Sequence, residues 1–224
     1  MRILILFMLA CLTLQAQCQV AIIQDNDGFT NVRSKPNANS EIVYKISVNE
    51  VFWYNSEDDD FQKSEWVEVY VLKNKYSFNS IQSETVNGFI HKSRLLPLDK
   101  LKIYKASDFN FEYVIQPFKT QNHIIDRDKS QWVSAIDGRH AWGTDGGLPR
   151  KEVIKINLTI QGKIIQVSSA FFCDIYECEN SFNVYKNGET YFVYQHNSDG
   201  AGGYELVWVF TKDGLKQRLV GSII

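Results

Sequence analysis

The stretch Trp66-Val67-Glu68-Val69-Tyr70-Val71 sets the fold class. Its residues alternate in character at period two, the spacing of side chains along a half-buried β-strand. Short runs of the same kind recur on both sides, divided by Gly, Asn, Asp and Ser. In the first half they fall at 20–24, 29–33, 42–46, 50–54, 66–72 and 88–91. In the second half they fall at 131–136, 152–160, 163–168, 182–186, 190–195, 204–211 and 215–220. No stretch has the apolar spacing of an amphipathic helix, so the sequence predicts an all-β protein. Three dipeptides, Gln161-Gly162, Asn187-Gly188 and Asp213-Gly214, punctuate the later strands as hairpin turns. Asn187-Gly188 fits a type I′ turn, which needs positive φ at both central residues. Consecutive antiparallel strands with tight turns predict a meander folded into a sandwich or open barrel.

The chain of 224 residues is long enough for one or two domains. Its 14 Phe, 11 Tyr and 5 Trp supply bulk that packs well on small pleated cores. The formal charge is −2 and no basic patch stands out, which gives nucleic-acid binding no support. The acidic run Glu57-Asp58-Asp59-Asp60 reads as a solvated turn.

Residues 1–19 read as a signal segment: Arg2 is followed by an apolar run from Ile3 to Leu14, too short to span a bilayer. Cleavage is placed after Ala16, and no later segment resembles a membrane helix. The expected location is therefore periplasmic or extracellular. An uncleaved anchor, or a lipid on Cys11 or Cys18, is the alternative, although neither cysteine has a good cleavage context. Arg2 is the one charged residue of this segment, so its removal makes the chain one unit more negative. Cys173 and Cys178 lie five apart. In an oxidising compartment they would close a small disulfide loop, and two free thiols are the alternative. A metal pair is disfavoured because no second Cys/His pair stands at ligand spacing.

Four blocks occur in order in the first half: Asn31-Val32-Arg33-Ser34-Lys35-Pro36, then Ser40-Glu41-Ile42-Val43, then Trp66-Val67-Glu68-Val69, then Gly88-Phe89-Ile90-His91-Lys92-Ser93-Arg94-Leu95. Together they resemble the pattern of bacterial SH3 (SH3b) domains over residues 20–98. The resemblance implies a small SH3-like barrel, used for binding cell-wall peptides or glycans, or another envelope protein. Val32 is expected to point inward, with Trp66 and Phe89 adding core mass beside it. Pro36 stops a strand and Gly88 permits a close approach. The lengthened loop from Lys73 to Thr85 departs from the family pattern. Loop aromatics and polar groups, namely Tyr54, Phe61 and Tyr76 with His91, are the expected ligand surface. His91 also has a purely structural reading. Pro97 to Lys105 reads as a link, with Leu98, Leu101 and Ile103 packing between two units.

The second unit, residues 99–224, is expected to be a β-sandwich or meander and carries no family resemblance. Its histidines form no metal-binding group, and no P-loop, G-x-S-x-G elbow or peptidase-type Cys–His set occurs. No catalytic residue, metal or cofactor is therefore assigned. Two glycine-rich loops stand out: Trp142-Gly143-Thr144-Asp145-Gly146-Gly147, and His196-Asn197-Ser198-Asp199-Gly200-Ala201-Gly202-Gly203. Glycine lets backbone approach a ligand closely, so Trp142, Asp145, His196 and Asp199 join the binding candidates. The plainer reading is that these glycines make left-handed turns. The leading expectation is a non-catalytic envelope-binding protein. A cell-wall hydrolase with its site at the two loops, including Arg139 and His140, is the second reading. An inhibitor of a secreted enzyme is the third.

Overall fold

The computed structural model describes residues 20–56, 61, 63–78, 85–198 and 200–222. The signal segment, the acidic run and Asp199 lie outside the described residues.

The protein is all-β and its sheets are antiparallel. The first seven strands are β1 (Val20–Ile23), β2 (Phe29–Arg33), β3 (Ile42–Ser47), β4 (Phe52–Tyr54), β5 (Trp66–Leu72), β6 (Thr85–His91) and β7 (Leu95–Pro97). They form one sheet in the order β3-β2-β6-β5-β4-β1-β7. Every one of these strands sends side chains into a single interior, from Ala21 on β1 to Leu95 on β7. Val32, Ile46 and Phe52 are fully buried there. Gly88 makes this closure fit: a Cβ at that position would sit 2.6 Å from the Arg33 carbonyl oxygen and from Val32 Cγ1.

Two expectations about this interior are corrected. Val67, Val69 and Val71 fill it, so period-two geometry turns Trp66, Glu68 and Tyr70 to the outer face. Ile90 likewise points in, which leaves Phe89 and His91 outside. Trp66 and Phe89 are half-buried and do not share the Val32 interior. Tyr54, expected on a loop surface, is instead buried in that interior.

The second half adds β8 (Phe109–Pro117), β9 (Ile125–Arg127), β10 (Val133–Ile136), β11 (Lys151–Ile160), β12 (Lys163–Ile165), β13 (Asn183–Asn187), β14 (Thr190–Asn197), β15 (Tyr204–Thr211) and β16 (Gly214–Ser222). β9 and β10 pair as a small hairpin. A three-stranded sheet, β12-β11-β8, packs on the four-stranded meander β13-β14-β15-β16, with Phe111, Ile156, Leu206 and Trp208 in the shared core. β8 and β9 escaped the sequence reading. In β8 the alternation Phe111-Glu112-Tyr113 gives way to three half-buried residues, Val114, Ile115 and Gln116, opposite a bulge on β11 where Ile154 is the extra residue between Val153 and Lys155.

The Gln161-Gly162 turn has positive φ at both residues, 51° and 78°, as a type I′ hairpin requires. Asn187 instead ends β13 opposite Thr190, so the turn is centred on Gly188-Glu189. Of that pair only Gly188 has positive φ, the type II′ arrangement rather than type I′.

The meander is covered on both faces. Leu206, Trp208 and Phe210 face the three-stranded sheet, while Val207 and Val209 meet Val20, Ile22, Val51 and Leu98 from the first unit. Seven consecutive residues of β15 are therefore buried. Leu98 and Leu101 pack in this seam as the link reading requires. Ile103 differs: its backbone bridges to Tyr185 and its side chain is 47% exposed.

Polar groups reinforce the seam. The Gln217 amide brackets Val51, accepting from its N–H at 2.8 Å and donating to its carbonyl at 2.7 Å. Trp53 Nε1 donates to Glu205 at 3.0 Å. The start of the lengthened loop crosses over as well: Arg218 N–H donates to the Lys75 carbonyl at 2.8 Å, and Ser77 Oγ donates to the Arg218 carbonyl at 2.9 Å.

Candidate functional site

The outer face of β5 and β6 collects the side chains that the interior excludes. Trp66 lies opposite His91, and Glu68 opposite Phe89, which in turn neighbours Arg33 on β2. The Trp66 and His91 rings meet edge to face at 5.6 Å. Glu68 accepts the Tyr70 hydroxyl at 2.8 Å. His91 also caps the single 3-10 turn Lys92–Arg94: its Nδ1 accepts from Ser93 N–H at 3.2 Å and lies 2.8 Å from Ser93 Oγ. The next residue, Lys92, places its Nζ 4.1 Å from the centre of the Phe61 ring. Aromatic faces and one carboxylate thus lie along a strip of the barrel wall beyond the part sealed by the meander; Phe61, under Lys92, packs instead against the interior, its ring 6.2 Å from Tyr54. Such a strip can stack on apolar faces and hydrogen-bond at its margins.

The other expected site residues do not join it. Tyr76 packs in the seam between the units, 5.8 Å from Phe78 and 5.0 Å from Phe171. Trp142 is a core residue, its backbone bridged to Ile175 and its ring 6.2 Å from Tyr204. Asp145 and His196 are exposed. His140 sets its ring 4.4 Å from Trp142, and burial lowers its pKa against the opposing pull of Asp174.

The two glycine loops do touch. Ser198 Oγ donates to the Gly143 carbonyl at 3.4 Å, and Gly202 packs against Gly143 and Thr144. The nearby cavity takes in His196 and Ser198 but neither His140 nor Asp145.

The expected Cys173–Cys178 bridge is absent and both thiols are free. Between them the chain turns at Cys173 and Asp174, is bridged at Ile175 and Tyr176, and takes a positive φ of 55° at Glu177; Trp142 accepts from Tyr176 N–H and donates to the Asp174 carbonyl, both at 2.9 Å. This path leaves Cys173 exposed and Cys178 buried, with Cys178 Sγ 2.9 Å from the Tyr204 hydroxyl. Burial pushes the Cys178 thiol up to about 12 and raises Cys173 as well. Among the described residues, no group of three or more His, Cys, Asp or Glu is placed to hold a metal ion.

The same end of the second unit has a polar cavity of about 420 Å³. Arg150, Lys151, Glu177 and Glu179 line its mouth, with Gln195, Asn197 and Ser198 from the end of β14. Two of its residues, Glu177 and Ser198, have positive φ of 55° and 61°, a conformation that costs a non-glycine residue about 1–3 kcal/mol. Gln195 and Asn197 are buried, and each keeps one polar atom without a hydrogen-bond partner. Sequence reading flagged the Asn197-Ser198 loop but passed over Gln195 and Glu177. A glutamine within a strand looks like any polar residue of an alternating pattern.

Compared with known proteins, the chain matches no family model, none of the curated proteins and none of the solved structures. Among the described residues, no helix is long and apolar enough to cross a membrane.

Proposed function

We propose that the chain is an exported cell-envelope binding protein with an SH3b-type first unit, and that the outer face of β5 and β6 is its ligand surface. The four sequence blocks that suggest the family fall on β2, on β3, on β5, and on β6 through the 3-10 turn to β7. One observation carries the reading. Strand alternation puts Trp66, Phe89 and His91 outside, on a stretch of wall that the meander leaves free. A protein that needed these rings only for stability would have turned them inward, where a buried aromatic side chain contributes most. The partner class is a cell-wall peptide or glycan, or an envelope protein presenting similar groups.

The test is cosedimentation of the full mature chain with purified cell-wall sacculi and with envelope fragments. The wild-type chain is retained on one of them. The Trp66→Ser, Phe89→Ser double variant loses retention by about tenfold or more, as expected when aromatic anchors are removed. Its melting transition stays cooperative, because neither ring belongs to the interior. No retention of the wild-type chain on either material contradicts the proposal.

A further inference from the structure

One row of residues crosses four strands of the barrel wall. Ile42 on β3 lies opposite Arg33 on β2, Arg33 opposite Phe89 on β6, and Phe89 opposite Glu68 on β5. Directly paired residues share a face of the sheet, so the row stands on the outer surface beside the pair Trp66 and His91. The neighbours Val32, Val67 and Ile90 take the inner face. A cation and an anion therefore flank the Phe89 ring. Two steps between strands separate their Cα atoms, about 10 Å. On its other side Arg33 meets Ile42, which is 49% exposed, so the cation sits between two apolar side chains.

Each of the two charges is anchored and keeps accessible bonding capacity. Arg33 Nη1 donates to the Ser40 carbonyl at 2.7 Å, which fixes one side of the guanidinium. Its Nε and Nη2, which form one edge of the fork, have no hydrogen-bond partner among the described residues, and neither atom is buried. Glu68 Oε2 accepts the Tyr70 hydroxyl at 2.8 Å, while Oε1 is likewise unpartnered and not buried. Neither side chain forms an ion pair with a described residue, whereas nearby Arg94 is paired with Asp25 at 2.8 Å. The pair is complementary to a chain with a carboxylate at one end and an ammonium at the other, the carboxylate taking the open guanidinium edge in bidentate fashion. A single amino acid is too short to reach both. An extended peptide spans about 3.3–3.6 Å per residue, so about three residues cover the distance. A neutral glycan leaves both charges unanswered. We infer, building on the binding face assigned above, that its ligand is a short zwitterionic peptide laid across the strands, with its carboxylate on Arg33, its ammonium on Glu68 and its middle residue over Phe89.

The test is a nuclear magnetic resonance titration of the full mature chain with trialanine, N-acetyl-trialanine, trialanine amide and an N-acetylglucosamine disaccharide. Trialanine shifts the signals of Arg33, Glu68 and Phe89. Blocking either end weakens binding by about tenfold or more, because one charge-assisted hydrogen bond is lost. The disaccharide leaves the three signals in place. Two variants assign the ends. Glu68→Gln keeps an acceptor for the Tyr70 hydroxyl and binds trialanine and its acetylated form alike, and Arg33→Gln binds trialanine and its amide alike. The blocked peptides put the same question to the wild-type chain, so the answer does not depend on either variant folding. The inference is overturned if trialanine moves none of the three signals at about 10 mM, a very weak affinity. It is equally overturned if both blocked peptides bind as well as trialanine, if the disaccharide shifts the same signals, or if a folded Glu68→Gln still rejects the acetylated form. Should retention on sacculi or envelope fragments persist in those cases and remain sensitive to Trp66→Ser, Phe89→Ser, only the ligand class falls. Should that retention be missing too, the binding face falls with it.

Discussion

Trp66 and Val67 are neighbours in sequence and face opposite ways, and the functional reading turns on that difference. Bulk alone assigns a tryptophan to a core; the period of the strand assigns it to whichever face its register dictates. The valines at 67, 69 and 71 hold the register, and the aromatic residues follow. Gly88 was legible because a glycine entering a strand signals close approach, and the backbone of β2 does approach it. Arg218 was not legible. It reads as one more polar residue near the C-terminus, yet it is fully buried and held by both carboxylate oxygens of Asp174, at 2.7 and 3.1 Å. Removing one member of such a pair strands the other charge inside the protein. Asp174→Asn is expected to cost about 3–5 kcal/mol in equilibrium urea unfolding, and a loss under about 1 kcal/mol would show that the pair does not tie the Asp174 segment to β16.

At the level of elements, the strands with clean alternation were legible, and the contacts between distant segments were not. The loop from Lys73 to Thr85 read only as a lengthened connection that departs from the family pattern. Its first residues instead hydrogen-bond to β16, a contact 141 positions away in sequence for Ser77 and Arg218. No local pattern encodes a partner so remote. The seam between β4 and β15 has the same origin, and it has a consequence for pH. Burial raises the pKa of Glu205, while hydrogen bonds from Tyr194 and Trp53 pull it back. The folded chain therefore keeps a proton that the unfolded chain releases. The stability contributed by the protonated group is present at acid pH and is lost as pH rises from the ordinary glutamate value through the raised one. Glu205→Gln retains an acceptor for Trp53 Nε1 and removes the titration. Its melting temperature should vary less with pH than the wild type across that window, and parallel profiles for the two proteins would refute the assignment.

For the whole molecule, the meander serves as a layer common to both units. A change of sheet after Leu98 was readable from the link composition. That the barrel wall and the sandwich share one apolar seam was not, because alternating strands specify which residues are buried without specifying against what. Val20, Ile22 and Val51 are each fully buried, and they would be bared to water if residues 99–224 were removed. The full chain is accordingly expected to unfold in a single cooperative transition, with tryptophan fluorescence and far-ultraviolet circular dichroism coinciding. Two separated transitions would mean that the seam is too weak to couple the units.

The barrel is thus held on one side and open on another, and its open side is where binding is assigned. Amide chemical-shift mapping of the isotope-labelled full chain, titrated with soluble cell-wall and envelope fragments, tests this assignment most directly. The account predicts that the largest shifts fall on Trp66, Glu68, Phe89 and His91. Fragments that bind while these four signals stay in place, or a titration that moves no signal in the chain, would contradict it.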